Sequence, residues 1–279
     1  MKALSNIFTA LIFLFLYAPL LIMVFFSFNA SNSTSVFSGF SFRWYESVFQ
    51  SSATVTALQN TLILSICSAV CSTLLGTLAA VGIYNIHSKL LKRTAMTVTN
   101  IPMMNPEIVT GVSLMLLFVF IGKWFSTGDS LNFGTLLIAH ITFNLPYVIL
   151  NVLPKLRMTS GALTEAALDL GCPPVRAFFK VILPNISSGI FAGFLMSLTL
   201  SIDDFVISYY TTGADFQTLP LMIYSMTRRK VKPDMYALSS LIFITILVLM
   251  ILVNVIGARS EKSHAQREDI NSVKSTEVD

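Results

Sequence analysis

Charge is scarce in this chain. Of its 279 residues, 11% are Asp, Glu, Lys or Arg while 54% are hydrophobic, and the mean hydropathy is +0.74. That balance excludes a soluble globule of ordinary make-up, and nothing in it points to a nucleic-acid partner. Cysteine is scarce too. Cys67 and Cys71 stand four apart, on one helix face, and Cys172 lies far along the chain, so no disulfide or metal pattern exists and the pair reads as small packing residues. No Gly-x-x-x-x-Gly-Lys-Ser/Thr run is present to cradle a nucleotide, and no His/Cys/carboxylate cluster has metal-ligand spacing. No catalytic constellation stands out, since only Asp203-Asp204 offers adjacent acids for an intramembrane enzyme. The internal repeats of many ion-coupled secondary carriers are also missing.

What remains is apolar length. A membrane span needs about 20 apolar residues at ~1.5 Å rise each, and six stretches qualify: Ile7 to Phe28, Thr61 to Tyr84, Ala95 to Ile121, Leu131 to Val152, Ile186 to Tyr210 and Ala237 to Ile256. The expected fold is an all-α, six-span bundle over residues 1–258. A polar tail from Arg259 to Asp279 has too few apolar residues to order itself. The first apolar run is longer than the ~15 residues of a signal core, so it reads as an uncleaved span. Lys and Arg are retained on the cytoplasmic side. Placing both termini there puts most basic residues inside and leaves Arg43, Lys123, Arg228, Arg229, Lys230 and Lys232 outside.

The main polar island is Glu165-Ala166-Ala167-Leu168-Asp169-Leu170-Gly171, which falls on the cytoplasmic side in that topology. Thr164 can cap a short helix, Glu165 suits its partly positive first turn, and the alanines favour helix. Gly171 can take the left-handed conformation that ends a helix, and Pro174 suits the first turn of a second helix through Phe178 and Phe179. The result is a helix-turn-helix knuckle. Ala166, Ala167 and Leu170 give it a small apolar surface, edged by acids, that suits another protein's groove.

This run resembles the "EAA loop" of ABC importer permeases in its Glu-Ala-Ala, its Gly four residues after the second Ala, and its terminal Leu183-Pro184. Val181 departs from the Ile that the family favours, and Pro173 adds stiffness beside the turn. The resemblance spans nearly the whole chain and is nearest to the PotC-type permeases of spermidine/putrescine importers. It is carried also by Arg43-Trp44-Tyr45, by the run from His140 to Pro146, by Ser201 to Asp204 with Thr212-Gly213, and by the run from Leu219 to Met226. It implies a coupling loop of Glu165, Ala166, Ala167, Asp169, Gly171, Pro174, Leu183 and Pro184 that docks on an ATPase subunit dimer. It further implies a second permease, an external solute-binding protein, and ATP and Mg used by the partner rather than by this chain. The expected function is polyamine import across the inner membrane. Another small organic solute or a metal cation, or an ion-coupled carrier, remain as alternatives.

Particular segments carry further expectations. The Ser-rich, then aromatic loop around Trp44 reads as an interfacial helix in contact with lipid, or as a contact for an external partner. In the second span Ser65, Ser68, Ala69, Ser72, Gly76, Ala79, Ala80 and Gly82 imply close helix packing. Pro102 and Pro106 predict either a broken helix where solute passes or a turn before a shorter span from near Ile108, with Glu107 beside the break. His140 and Asn144 share a helix face and suit interhelical hydrogen bonds; a proton relay is the alternative. In the fifth span Asp203 and Asp204 would each cost about 3 kcal/mol at a helix centre, and on a continuous helix they point about 100° apart. One should line the path for a polycation, with Tyr209 or Tyr210 offering a ring face; the alternative is a structural role for either. The outer-loop bases Arg228, Arg229, Lys230 and Lys232 suit an acidic lobe of a binding protein or lipid phosphates.

Overall fold

The structure, a computed structural model, describes residues 2–32, 36–124, 131–159, 161–228, 233–251 and 255, with backbone alone at 2–4 and 161–164. The described elements are α1 (Lys2–Ser27), α2 (Arg43–Gln50), α3 (Ser52–Asn85), α4 (Lys89–Met104), α5 (Glu107–Trp124), α6 (Phe133–Met158), α7 (Gly161–Asp169) and α8 (Pro174–Ala177). A π turn (Phe178–Ile182) leads into α9 (Leu183–Asp203), followed by α10 (Val206–Thr211), α11 (Leu219–Thr227) and α12 (Pro233–Ile251). Six helical stretches among the described residues are long and apolar enough to cross a membrane: Ser5–Ser27, Ser52–Asn85, Glu107–Trp124, Phe133–Met158, Pro174–Asp203 and Pro233–Ile251. The tail from Arg259 lies outside the described residues.

Two expected spans are divided. The third stretch separates at Asn105, whose extended backbone (ψ 141°) precedes Pro106, so α5 alone is the spanning helix and α4 is distinct. The fifth ends at Asp203, and α10 follows as a short separate helix.

The described residues fall into two compact units, those within Met1–Thr61 and Gln217–Leu247, and those within Leu62–Phe216 and Val248–Asp279. In the first, Val48, Ala57, Leu219, Met222, Ala237 and Leu238 form the core. The Tyr45 hydroxyl lies 2.7 Å from both Ser27 Oγ and Ser240 Oγ, joining the ends of α1 and α2 to α12. Helix α2 forms where the aromatic loop predicts one. The Trp44 indole N–H donates to the Asn29 carbonyl at 2.6 Å, so its polar tip is satisfied inside the protein rather than by headgroups. The Thr61 hydroxyl accepts from the Leu219 N–H at 2.7 Å, which fixes the start of α11.

The second unit is built around α6. Asn132 caps it in a capping box with Thr135, satisfying first-turn N–H groups that hydrocarbon cannot hydrate. Its buried residues run from Leu136 to Leu156 and meet α3 and α9. Gly76 of α3 packs so closely that an added Cβ would sit 2.7 Å from Val148, so a small residue is required for the approach. Ser65, Ser68, Ala69, Ser72 and Ala80 are buried as their small size predicts. Gly82 is not: it is exposed, with open space where a side chain would stand.

Candidate functional site

Two places gather the polar residues that the sequence singles out, and α9 connects them. The first is the knuckle. Helix α7 starts at Gly161, so Thr164 lies within it rather than capping it. Gly171 has φ +77°, its N–H donates to Leu168 O at 2.9 Å, and the Cys172 N–H donates to Ala167 O at 3.0 Å. This pair of bonds is the Schellman motif, which satisfies the last carbonyls and reverses the chain. Pro173, extended at ψ 149°, then places Pro174 in the first turn of α8, where its missing N–H costs nothing. Glu165, Ala166, Asp169 and Leu170 are exposed and Ala167 is half-buried, with Leu170 at 89% exposure. Leu168, Val175 and Phe179 are also exposed. The knuckle thus presents apolar side chains with acids beside them. Phe178 and Phe179 fall in the π turn, and Leu183 and Pro184 open α9. From Pro174 to Asp203 the helical path is continuous.

The second place is the break between α9 and α10. Asp204 is extended (ψ 123°), which ends α9. Its carboxylate accepts the Ile207 N–H at 3.2 Å and the Ser208 N–H at 2.8 Å, so it caps α10 through its side chain. His140 Nε2 lies 3.0 Å from Ser208 Oγ and 3.4 Å from Asp204 Oδ2. One turn further along α6, Asn144 Nδ2 donates to Ser201 Oγ at 2.7 Å, and Ser201 Oγ lies 2.8 Å from Ser68 Oγ of α3. The interhelical bonding expected of His140 and Asn144 is present, and it reaches α3, α9 and α10.

The two adjacent acids therefore differ in kind. Asp204 is buried and engaged, whereas Asp203, the last residue of α9, is exposed. Because the helix breaks between them, they do not share a helix, and the ~100° separation expected on a continuous helix does not hold. Tyr209 is 45% exposed and meets Tyr210 edge-on at 5.2 Å, while Tyr210 lies beneath Gly111 of α5. Glu107 is exposed in the first turn of α5, where the helix dipole favours a carboxylate. Among the described residues no three His, Cys, Asp or Glu side chains group to hold a metal ion. Sequence reasoning missed Ser208 and the capping role of Asp204. Asp204 stands one residue before the N-cap Phe205 and reaches the N–H groups three and four residues on, a spacing that the usual N-cap pattern does not flag inside an apolar run. Arg228 donates to the Tyr224 hydroxyl at 2.6 Å, while Arg229, Lys230 and Lys232 lie outside the described residues.

A family model described as "Binding-protein-dependent transport system inner membrane component" matches residues 72–267, which include both the knuckle and the break. The chain belongs to this family of transport components. Among this permease's relatives is the putrescine transport system permease protein PotI of Escherichia coli (strain K12), 34% identical over 250 residues, covering 90% of this chain and 89% of the relative. The spermidine/putrescine transport system permease protein PotC of Haemophilus influenzae (strain ATCC 51907 / DSM 11121 / KW20 / Rd) is 34% identical over 257 residues, covering 92% and 97%. In fold, the permease is similar to a chain of a bacterial alginate ABC transporter solved with an alginate pentasaccharide-bound periplasmic protein. That match has TM-score 0.70 and 18% identity, and covers 92% of this chain and 94% of the other. The protein is thus a multi-pass inner-membrane transport subunit of the ABC permease fold, not an enzyme.

Proposed function

We propose that this permease is one membrane half of an ATP-driven importer of polyamines, spermidine or putrescine. Both termini face the cytoplasm, and the knuckle docks on one subunit of an ATPase dimer, where ATP and Mg are used. A second, related permease completes the membrane pore, and an external binding protein delivers the solute. The names of the relatives at 34% identity support the substrate class. The observation that carries the reading is the exposed Asp203 at the end of the one helix that leads from the knuckle.

The physical sequence follows from that connection. Nucleotide binding displaces α7 and α8, and rigid helix transmits the movement through the π turn along the 30 residues to Asp203, about 45 Å. A polyamine entering the path must shed water from its ammonium groups, and a carboxylate in a low-dielectric passage compensates that loss. Asp203 supplies the charge, Glu107 a second one, and the exposed ring of Tyr209, backed by Tyr210, a cation-attracting face worth about 0.5–2 kcal/mol. Asp204 stays out of the exchange because its oxygens already serve the α10 backbone.

The test is ATP hydrolysis by the purified assembly, with whatever subunits accompany this chain. A binding protein loaded with spermidine or putrescine stimulates hydrolysis over the unloaded protein on this account. The absence of any co-purifying ATPase would favour an ion-coupled carrier. An ATPase stimulated only by a different loaded solute would retain the importer and reject the polyamine.

A further inference from the structure

Helix α4 belongs to neither site, and it has no buried residue. One side of it is seated: Ala95 and Met96 pack on the cluster formed by the ends of α3 and α6 and the start of α9. Lys92 is held there too, donating to the Tyr84 carbonyl at 2.9 Å with its ammonium 5.5 Å from the Tyr84 ring. The other side is graded along its length. Lys89 and Arg93, one turn apart, are exposed near the N-terminus, Thr97 follows, and Ile101 and Met104 are exposed at the far end. Between the two bases Leu90 is 76% exposed and Leu91 63%. The helix contains no acidic residue, and among the described residues no carboxylate pairs with Lys89 or Arg93.

This gradient matches a bilayer leaflet. From Arg93 to Met104 the helix rises about 16 Å, roughly half of the ~30 Å hydrocarbon core. With Ile101 and Met104 in the hydrocarbon, Lys89 and Arg93 stand at headgroup depth, and Tyr84 sits beside them as an interfacial aromatic at the end of the spanning α3. Two cations one turn apart on one face, with Ile101 and Met104 exposed farther along the same side, fit a phosphate with acyl chains below it.

We propose that Lys89 and Arg93 form a binding site for the headgroup phosphate of an anionic phospholipid, with its chains running along the helix toward Ile101 and Met104. Because α4 packs on the ends of α3 and α6 and the start of α9, an occupied site braces the end of the bundle from which the knuckle projects. Nothing in this inference depends on the solute carried.

The purified assembly, exchanged into phosphatidylcholine with increasing phosphatidylglycerol, is examined by native mass spectrometry for retained phosphatidylglycerol. Wild type retains it selectively, and the Lys89→Gln/Arg93→Gln double variant needs about tenfold or more phosphatidylglycerol for the same occupancy. The Lys89→Arg/Arg93→Lys swap keeps wild-type retention, as does Lys180→Gln, an exposed cation of the π turn. Equal retention by the double variant and wild type would overturn the proposal. So would loss of the co-purifying ATPase from the double variant with phosphatidylglycerol still bound, since the face would then dock protein.

Discussion

His140 of α6 touches both partners of a helix cap: its Nε2 is 3.4 Å from the Asp204 carboxylate and 3.0 Å from the hydroxyl of Ser208, whose N–H that carboxylate accepts. One imidazole therefore holds the break between α9 and α10 against α6. All three side chains are buried, so a missing member leaves others without partners where water does not reach.

Asp204→Ala should cost the assembly about 2–4 kcal/mol, combining a lost cap with unsatisfied buried donors. Asp204→Asn keeps one acceptor oxygen and should cost less. The temperature at which the detergent-solubilised assembly loses its monodisperse peak should rank wild type above Asp204→Asn above Asp204→Ala. Asp203→Asn, on an exposed residue, should melt with wild type.

Close packing gives the second prediction. Gly76→Val forces atoms against Val148, whose side chain lies 2.7 Å from the position of a Cβ, and overpacking of this kind costs about 1–3 kcal/mol. Val148→Ala in the same chain should recover part of the loss in the same melting measurement. Gly82→Ala, in open space, should leave the melting temperature unchanged or raise it slightly.

The spans and the knuckle were legible in the sequence because local chemistry dictates them. An apolar run must be helical in hydrocarbon, and Gly171 followed by two prolines permits few ways for a helix to end and restart. The break at Asp204 was not legible in the same way. Ser-Ile-Asp-Asp-Phe-Val-Ile contains neither Gly nor Pro, and what stabilises the interruption includes His140, far back in the chain. Tertiary partners likewise decided that Trp44 spends its indole N–H on Asn29 O, and that Gly76 is packed while Gly82 is not. The distinction between Asp203 and Asp204 needed the fold, since in sequence they are neighbours of identical chemistry.

The turn at Gly171 gives the third prediction. A side chain there at φ +77° costs about 1 kcal/mol or more, yet no atom lies within 4 Å of the added Cβ, so the chain should still insert and assemble. Gly171→Leu should lower transport while membrane levels persist, with Gly171→Asn less affected because Asn tolerates the left-handed region. Wild-type uptake by a well-expressed Gly171→Leu variant would remove the knuckle from the coupling path.

Whether Asp203 carries the cation is decided by ATP-driven accumulation of labelled spermidine and putrescine in vesicles carrying the whole assembly, compared between wild type and Asp203→Asn. Wild type should accumulate polyamine and Asp203→Asn should lose tenfold or more of that uptake, with ATP hydrolysis and assembly retained. Full-rate uptake by Asp203→Asn would contradict that role, because the carboxylate at the end of α9 would then have no part in carrying the cation.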